Sequence, residues 1–210
     1  MEVAFGLVAQ SLLMRLFVAL DIDPSIRERI MRFGEGLHDF APEARWMKPE
    51  SMHVTLKFIG EQPEAAVGSI KQAMSGIRET ATAISFRAYG FFPTAKMARV
   101  FWVGIEAGPE LAALASTIDE NLSALGIAKE DRAYSPHLTL ARAAGASGSP
   151  GRNKQDRHNR RFHLLQEKLA ALPTPEFGTM TPREFFLYQS QLSAQGSKYT
   201  KLARFGLGER

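Results

Sequence analysis

The chain has 210 residues, 45% hydrophobic and 23% charged, with a formal net charge of +4. That length and balance suit one sizeable globular domain and exclude wholesale disorder. It has no cysteine, which excludes disulfides, zinc–thiolate centres and a cysteine nucleophile, and makes the cytoplasm the expected compartment. The modest basic excess favours polyanionic partners without requiring them.

The first thirteen residues, MEVAFGLVAQSLL, are apolar, but Glu2 replaces a basic start and Arg15 soon interrupts the run. They make neither a signal peptide nor a membrane span. The expectation is an N-terminal extension over 1–13, of order the sequence does not set, ahead of a single two-lobed domain over 14–210. Residues 16–22 read as a strand. Asp23-Pro24 then reads as an N-cap with proline at the first helical position, followed by Ile26, Ile30, Phe33 and Leu37 at helical spacing. Residues 53–59 read as a second strand ended by Gly60. Pro63 opens a second helix with Val67, Ile70, Met74 and Ile77 on one face. Residues 84–92 and 100–106 are strand-like. Leu111, Leu114, Ile118, Leu122 and Leu125 mark a third helix stopped at Gly126. Residues 137–142 form another strand. A fourth helix carries Phe162, Leu165, Leu169 and Leu172 and ends at Pro173. Residues 185–189 and 199–205 close the chain as strands around a turn containing Gly196.

Two stretches share a spelling: MHVTLKFIG at 52–60 and PHLTLARAA at 136–144, with His53 and His137 84 residues apart. The same offset lays Thr55 on Thr139, Phe17 on Phe101, and the first helix on the third. One shift aligns strand, helix and motif together, so an internal duplication explains the chain better than chance repetition. The Gly/Ser/basic stretch 145–161 has no counterpart after the first motif.

Side chains alternate along a strand, so each His shares a face with its Thr, while Val54, Leu56, Leu138 and Leu140 turn toward a core. Two such copies across a cleft present two imidazoles and two hydroxyls. Imidazole titrates near neutrality, so one ring serves as base while the other serves as acid. That pairing suits in-line displacement at phosphorus, with the threonine hydroxyls donating to non-bridging oxygens. Paired histidines also ligate metals, but such sites usually need a third ligand, and neither motif contains Asp or Glu.

The twin HxTx motifs, MRLFVALDI, ARWMKPESMHVTLKFIG, SPHLTLAR and the closing FFLYQSQLSAQGSKYTKLARF resemble the 2H phosphoesterase superfamily. Within it they resemble the bacterial and archaeal RNA 2′,3′-cyclic phosphodiesterases, also called 2′-5′ RNA ligases, over about residues 14–207. The resemblance implies an α+β fold of two pseudo-symmetric lobes, each an antiparallel sheet with helices on its outer face, and an active-site cleft between them. It implies hydrolysis of RNA 2′,3′-cyclic phosphate ends to 2′-phosphomonoesters, with His53 as proton donor and His137 as acceptor. Thr55 and Thr139 would hold the phosphate. No cofactor, metal, membrane or obligate protein partner is implied; the partners are RNA 3′ ends or nucleotides bearing the cyclic phosphate. Reverse 2′-5′ joining is part of the same resemblance.

Two further substrate-binding candidates follow from the strands. Lys57 shares the face of His53 and Thr55 by alternation. Arg142 falls on the opposite face from Thr139 unless a bulge turns it toward the site. Trp46, Tyr134 and Phe92 are candidate stacking surfaces for a base, and the basic run 151–162 is a candidate track for an RNA backbone. The alternatives are activity on 2′-5′ oligonucleotides or ADP-ribose cyclic phosphate, a non-catalytic RNA-end binder, and a metallohydrolase.

Overall fold

The computed structural model describes residues 12–143, 162–193 and 196–208. In chain order the elements are β1 (Leu13–Leu20), α1 (Pro24–Glu35), β2 (Arg45–Trp46), β3 (Val54–Pro63), α2 (Val67–Ser75), β4 (Ile84–Phe92), β5 (Val100–Ala107), α3 (Pro109–Ser123), β6 (His137–Arg142), α4 (His163–Ala170), β7 (Glu176–Met180), β8 (Glu184–Ser193) and β9 (Gly196–Gly206). Short 3-10 turns at His38–Phe40, Pro49–Ser51, Glu64–Ala66 and Ala95–Met97 join several of them. No helix among the described residues is long and apolar enough to cross a membrane.

The strands form two antiparallel sheets, β3-β1-β8-β9 and β2-β6-β5-β4-β7. Each is assembled around one half of the duplication: β1 pairs with β3 as β5 pairs with β6. The α+β, two-lobed expectation holds. β1 begins at Leu13, which pairs with Pro63. Residues 1–11 and 144–161 lie outside the described residues, and with them the basic run except Phe162. Gly60 does not end β3, which continues to Pro63. The short β2 and β7 add strands that the hydrophobic pattern does not announce.

Local chemistry explains the helices. α1 starts at Asp23-Pro24 as expected, although the Asp23 carboxylate makes no capping bond; its carbonyl accepts from the Arg27 N–H at 2.9 Å. Ile26 and Ile30 bury the inner face. α3 buries Leu111, Leu114, Ala115, Ile118 and Leu122, and Gly126 at φ +81° turns the chain back below it.

The helices tie the sheets together. α1 follows β1 of the first sheet but packs on β7 of the second, where Arg29 donates to the Phe177 carbonyl at 2.8 Å. α3 follows β5 of the second sheet but packs on β3 of the first. One continuous core runs through both halves, including Leu16, Val18, Leu20, Phe86, Phe101, Val103, Leu138 and Phe185. A smaller cluster, Phe17, Ala19, Phe186 and Tyr188, covers the opposite face of the first sheet. β1 is therefore buried on both faces, which accounts for its nearly continuous apolar run.

On the second sheet the Trp102 indole lies across β4 at Gly90. A Cβ built there would stand 2.1 Å from the Trp102 ring, so the indole occupies the volume any other side chain needs. Gly90→Ala is expected to displace Trp102 and to cost about 1–3 kcal/mol of stability, the usual range for overpacking. Urea denaturation and tryptophan fluorescence check both parts.

Candidate active site

β3 is the edge strand of the first sheet, and β6 lies one strand from the edge of the second. Their Cα atoms come within 8 Å of one another. His53 immediately precedes β3 and His137 opens β6, so the fold brings the two expected histidines to one junction.

The rings are held alike. His53 Nδ1 lies 2.9 Å from the Ser51 carbonyl oxygen and His137 Nδ1 lies 2.8 Å from that of Ser135. A carbonyl only accepts, so each Nδ1 carries the proton in the neutral ring and each Nε2 keeps its lone pair for other work. The repeated unit is therefore Ser-x-His-x-Thr-Leu. The serines at 51 and 135 are visible in the sequence, but it is their backbone carbonyls that act.

Around His53 stand Phe17 at 4.7 Å between ring centroids, Tyr199 edge-on at 5.2 Å and Tyr188 at 6.3 Å. Phe92 meets His137 edge-on at 4.8 Å, and Trp102 lies at 6.3 Å. Burial pushes the His53 pKa down to about 4. The Ser51 hydrogen bond and the charge of Asp21 oppose that shift, while Arg142 and His137 reinforce it. Burial also lowers the His137 pKa; the Ser135 hydrogen bond opposes the shift and Arg142 reinforces it. The Asp21 carboxylate accepts from the Tyr188 hydroxyl and pairs with Lys201. Tyr188, Tyr199, Phe17 and Asp21 come from distant strands or the opposite face, and no spacing rule marks them.

A bulge decides which later residues face the cleft. In β3, Thr55 pairs with Ala19 and Lys57 with Val18, so Leu56 is the extra residue. In β6, Thr139 pairs with Trp102 and Ala141 with Phe101, so Leu140 is extra. The duplicated strands carry the same bulge. Beyond it the alternation inverts: Phe58 and Arg142 return to the cleft face, and Lys57 and Ala141 turn inward.

The expectation that Lys57 shares the face of His53 and Thr55 is therefore corrected. Lys57 is 3% exposed. Its ammonium donates to the Ala128 carbonyl at 2.7 Å and meets Asp119 at 2.5 Å and Glu130 at 3.6 Å. It braces β3 against α3 and the following loop. Arg142 is turned into the cleft by the bulge that the sequence reading required. Its charge is felt at both histidines, and among the described residues it has no carboxylate partner. Burial, with Arg45 and Arg15 nearby, holds its pKa below the usual arginine range. Thr55 and Thr139 are half-buried beside their histidines.

The three stacking candidates separate. Phe92 lies against His137. Trp46 packs against Phe101 and donates Nε1 to the Ala41 carbonyl at 3.2 Å, a core role. Tyr134 donates its hydroxyl to the Thr55 carbonyl at 3.1 Å, tying the approach to His137 onto the first motif. Among the described residues no group of three or more His, Asp or Glu side chains is arranged to hold a metal ion.

Residues 20–102 match the family model described as LigT like Phosphoesterase. Over 192 residues the chain is 32% identical to the RNA 2′,3′-cyclic phosphodiesterase of Archaeoglobus fulgidus, covering 91% of this chain and 99% of that one. The chain belongs to the LigT-like phosphoesterase family. A relative of the same name from Methanothermobacter thermautotrophicus is 30% identical over 92% of this chain and 98% of its own length. The structure of Escherichia coli LigT complexed with 3′-AMP superposes with a TM-score of 0.73 at 25% identity, covering 93% of this chain and 99% of that one. In this LigT-like chain β3 and β6, one from each sheet, thus carry the repeated Ser-x-His-x-Thr-Leu unit on a fold shared along nearly its whole length.

The depressed His53 pKa links the site to stability. The unfolded chain binds a proton at His53 near pH 6.5, whereas the folded chain resists it down to about pH 4. Between those values the unfolded state holds more protons, so stability falls as pH drops through that window. Below it there is no further loss from this group. The loss is on the order of 3 kcal/mol. Urea unfolding at stepped pH values checks it, and His53→Asn is expected to flatten that part of the profile.

Proposed function

We propose that the protein hydrolyses RNA 2′,3′-cyclic phosphate ends to 2′-phosphomonoesters, without a metal ion, by paired-histidine acid–base catalysis. The observation that carries this reading is the arrangement of two matched imidazoles, each bonded through Nδ1, beside an arginine that lacks a carboxylate partner among the described residues. An anionic phosphodiester supplies the missing counter-charge. The names of the relatives support the same substrate.

The step balances as follows. Water attacks phosphorus and gives its proton to His137 Nε2. The bond from phosphorus to O3′ breaks, and His53 Nε2–H protonates O3′. The products are a 2′-phosphate and a free 3′-hydroxyl. Arg142 and the hydroxyls of Thr55 and Thr139 stabilise the charge on the non-bridging oxygens. Two observations bear on which ring is the acid. In the free site burial leaves His53 neutral at pH 7, which by itself suits a base. Yet Asp21 acts on His53 and favours its protonated form. Bound substrate adds a negative charge at phosphorus that favours protonation further, and that supports His53 as donor.

The test is turnover of a 2′,3′-cyclic-ended oligonucleotide in excess EDTA, with the product identified. A 2′-phosphate is the expected product. Activity that disappears with chelator and returns with metal indicates a metallohydrolase. Tight binding without turnover indicates an RNA-end binder, and turnover only of 2′-5′ oligonucleotides or ADP-ribose cyclic phosphate moves the substrate class. His53→Ala and His137→Ala are each expected to lower kcat by about 10²–10⁴-fold with the fold retained. Thr55→Ala and Thr139→Ala should cost about tenfold to a thousandfold. Both pH profiles should be bell-shaped. The alkaline limb of kcat should lie above that of kcat/KM, because the bound phosphate favours imidazolium.

A further inference from the structure

Arg45 forms half of the two-residue strand β2 and stands directly opposite Arg142 in the antiparallel register with β6. Directly opposed residues share a face, with Cβ atoms about 4.5–5.5 Å apart, and like charges there are unfavourable. Trp46, the other half of β2, turns to the core against Phe101. Arg45 therefore faces the cleft beside Arg142, and it is exposed. Among the described residues no carboxylate pairs with either arginine. Arg15 adds a third positive charge from the other lobe, on the face of β1 that carries Phe17. Glu61 stands opposite Arg15 in register, yet no ion pair joins them.

Two opposed guanidinium groups on neighbouring strands, without a counter-charge among the described residues, match two phosphates in succession better than one. A single phosphate at the histidines occupies Arg142 and leaves the Arg45 side of the pair unmatched. We propose that Arg45 binds the internucleotide phosphate preceding the terminal nucleotide, so that the site prefers the cyclic end of an RNA strand to a mononucleotide cyclic phosphate. This rests on the cyclic-phosphodiesterase reading above and adds to it a contact beyond the terminal nucleotide. Next to it, Phe58 is 56% exposed on the same face, with its ring 6.4 Å from that of Phe17, so the cation pair and an uncovered aromatic surface lie along one cleft wall.

The experiment compares kcat/KM for three substrates: a nucleoside 2′,3′-cyclic monophosphate, a cyclic-ended dinucleotide with an ordinary phosphodiester linkage, and the same dinucleotide with an uncharged methylphosphonate linkage. The charged dinucleotide should exceed the methylphosphonate by on the order of tenfold to a hundredfold, the range for one charge-assisted contact. Arg45→Ala should collapse that ratio toward one, and Arg45→Lys should keep part of it. The salt dependence of KM for the charged dinucleotide should become shallower in Arg45→Ala, by about 0.7 in the log–log slope. A wild-type ratio near one overturns the proposal, as does a ratio that Arg45→Ala leaves intact. Absence of turnover on all three substrates overturns the cyclic-phosphodiesterase reading instead, so the two failures are distinguishable.

Discussion

The constraint on which the site depends is a backbone one: each imidazole is fixed by the carbonyl two residues before it. The same bond sets the tautomer, the ring plane and the exposed nitrogen. Holding the two rings at a fixed separation then needs a fixed distance between β3 and β6, which belong to different sheets. Buried polar bonds supply it. Tyr134 ties the segment entering His137 to the Thr55 carbonyl, and Lys57 ties the strand leaving Thr55 to Ala128 and Asp119. A lysine that is 3% exposed would be costly without such partners. Its burial is intelligible as a brace between the halves.

The duplication provides symmetry of position, and point differences break it where the proposed chemistry needs two unlike rings. Both copies have the same bulge, yet the residue it returns to the cleft is Phe58 in one and Arg142 in the other. The residue it sends inward is Lys57 in one and Ala141 in the other. Asp21, which acts on His53, falls on buried Ile105 when the halves are laid over one another. A carboxylate near one imidazole therefore distinguishes two histidines whose local geometry is the same, while the Arg142 charge acts on both.

Much of this was legible in the chain. The β-α-β order of each half, the ends of β4 and β6, and the pairing of His53 with His137 follow from hydrophobic period and from one offset that aligns everything. What was not legible has physical causes. β2 is two residues long, too short to show any period. β7 follows two prolines and contains Gly178 at φ +121°, so its alternation is broken. The direction of Lys57 depends on a bulge, and a bulge is a property of the pairing with β1 rather than of the strand alone. Tyr188 and Tyr199 reach His53 only because β8 and β9 join the first sheet, a contact across more than half the chain.

Charge placement links the whole chain back to the cleft. Arg32, Arg87 and Arg204 face carboxylates on their own elements or on adjacent strands. Arg15, Arg45 and Arg142 converge on the cleft without such partners among the described residues. Gathering like charges in a partly buried site opposes folding; burial above all, and then Arg45 and Arg15, lower the Arg142 pKa. The proposed phosphate contacts would offset that cost. The positive balance of the sequence, uninformative as a sum, becomes informative through where three arginines stand.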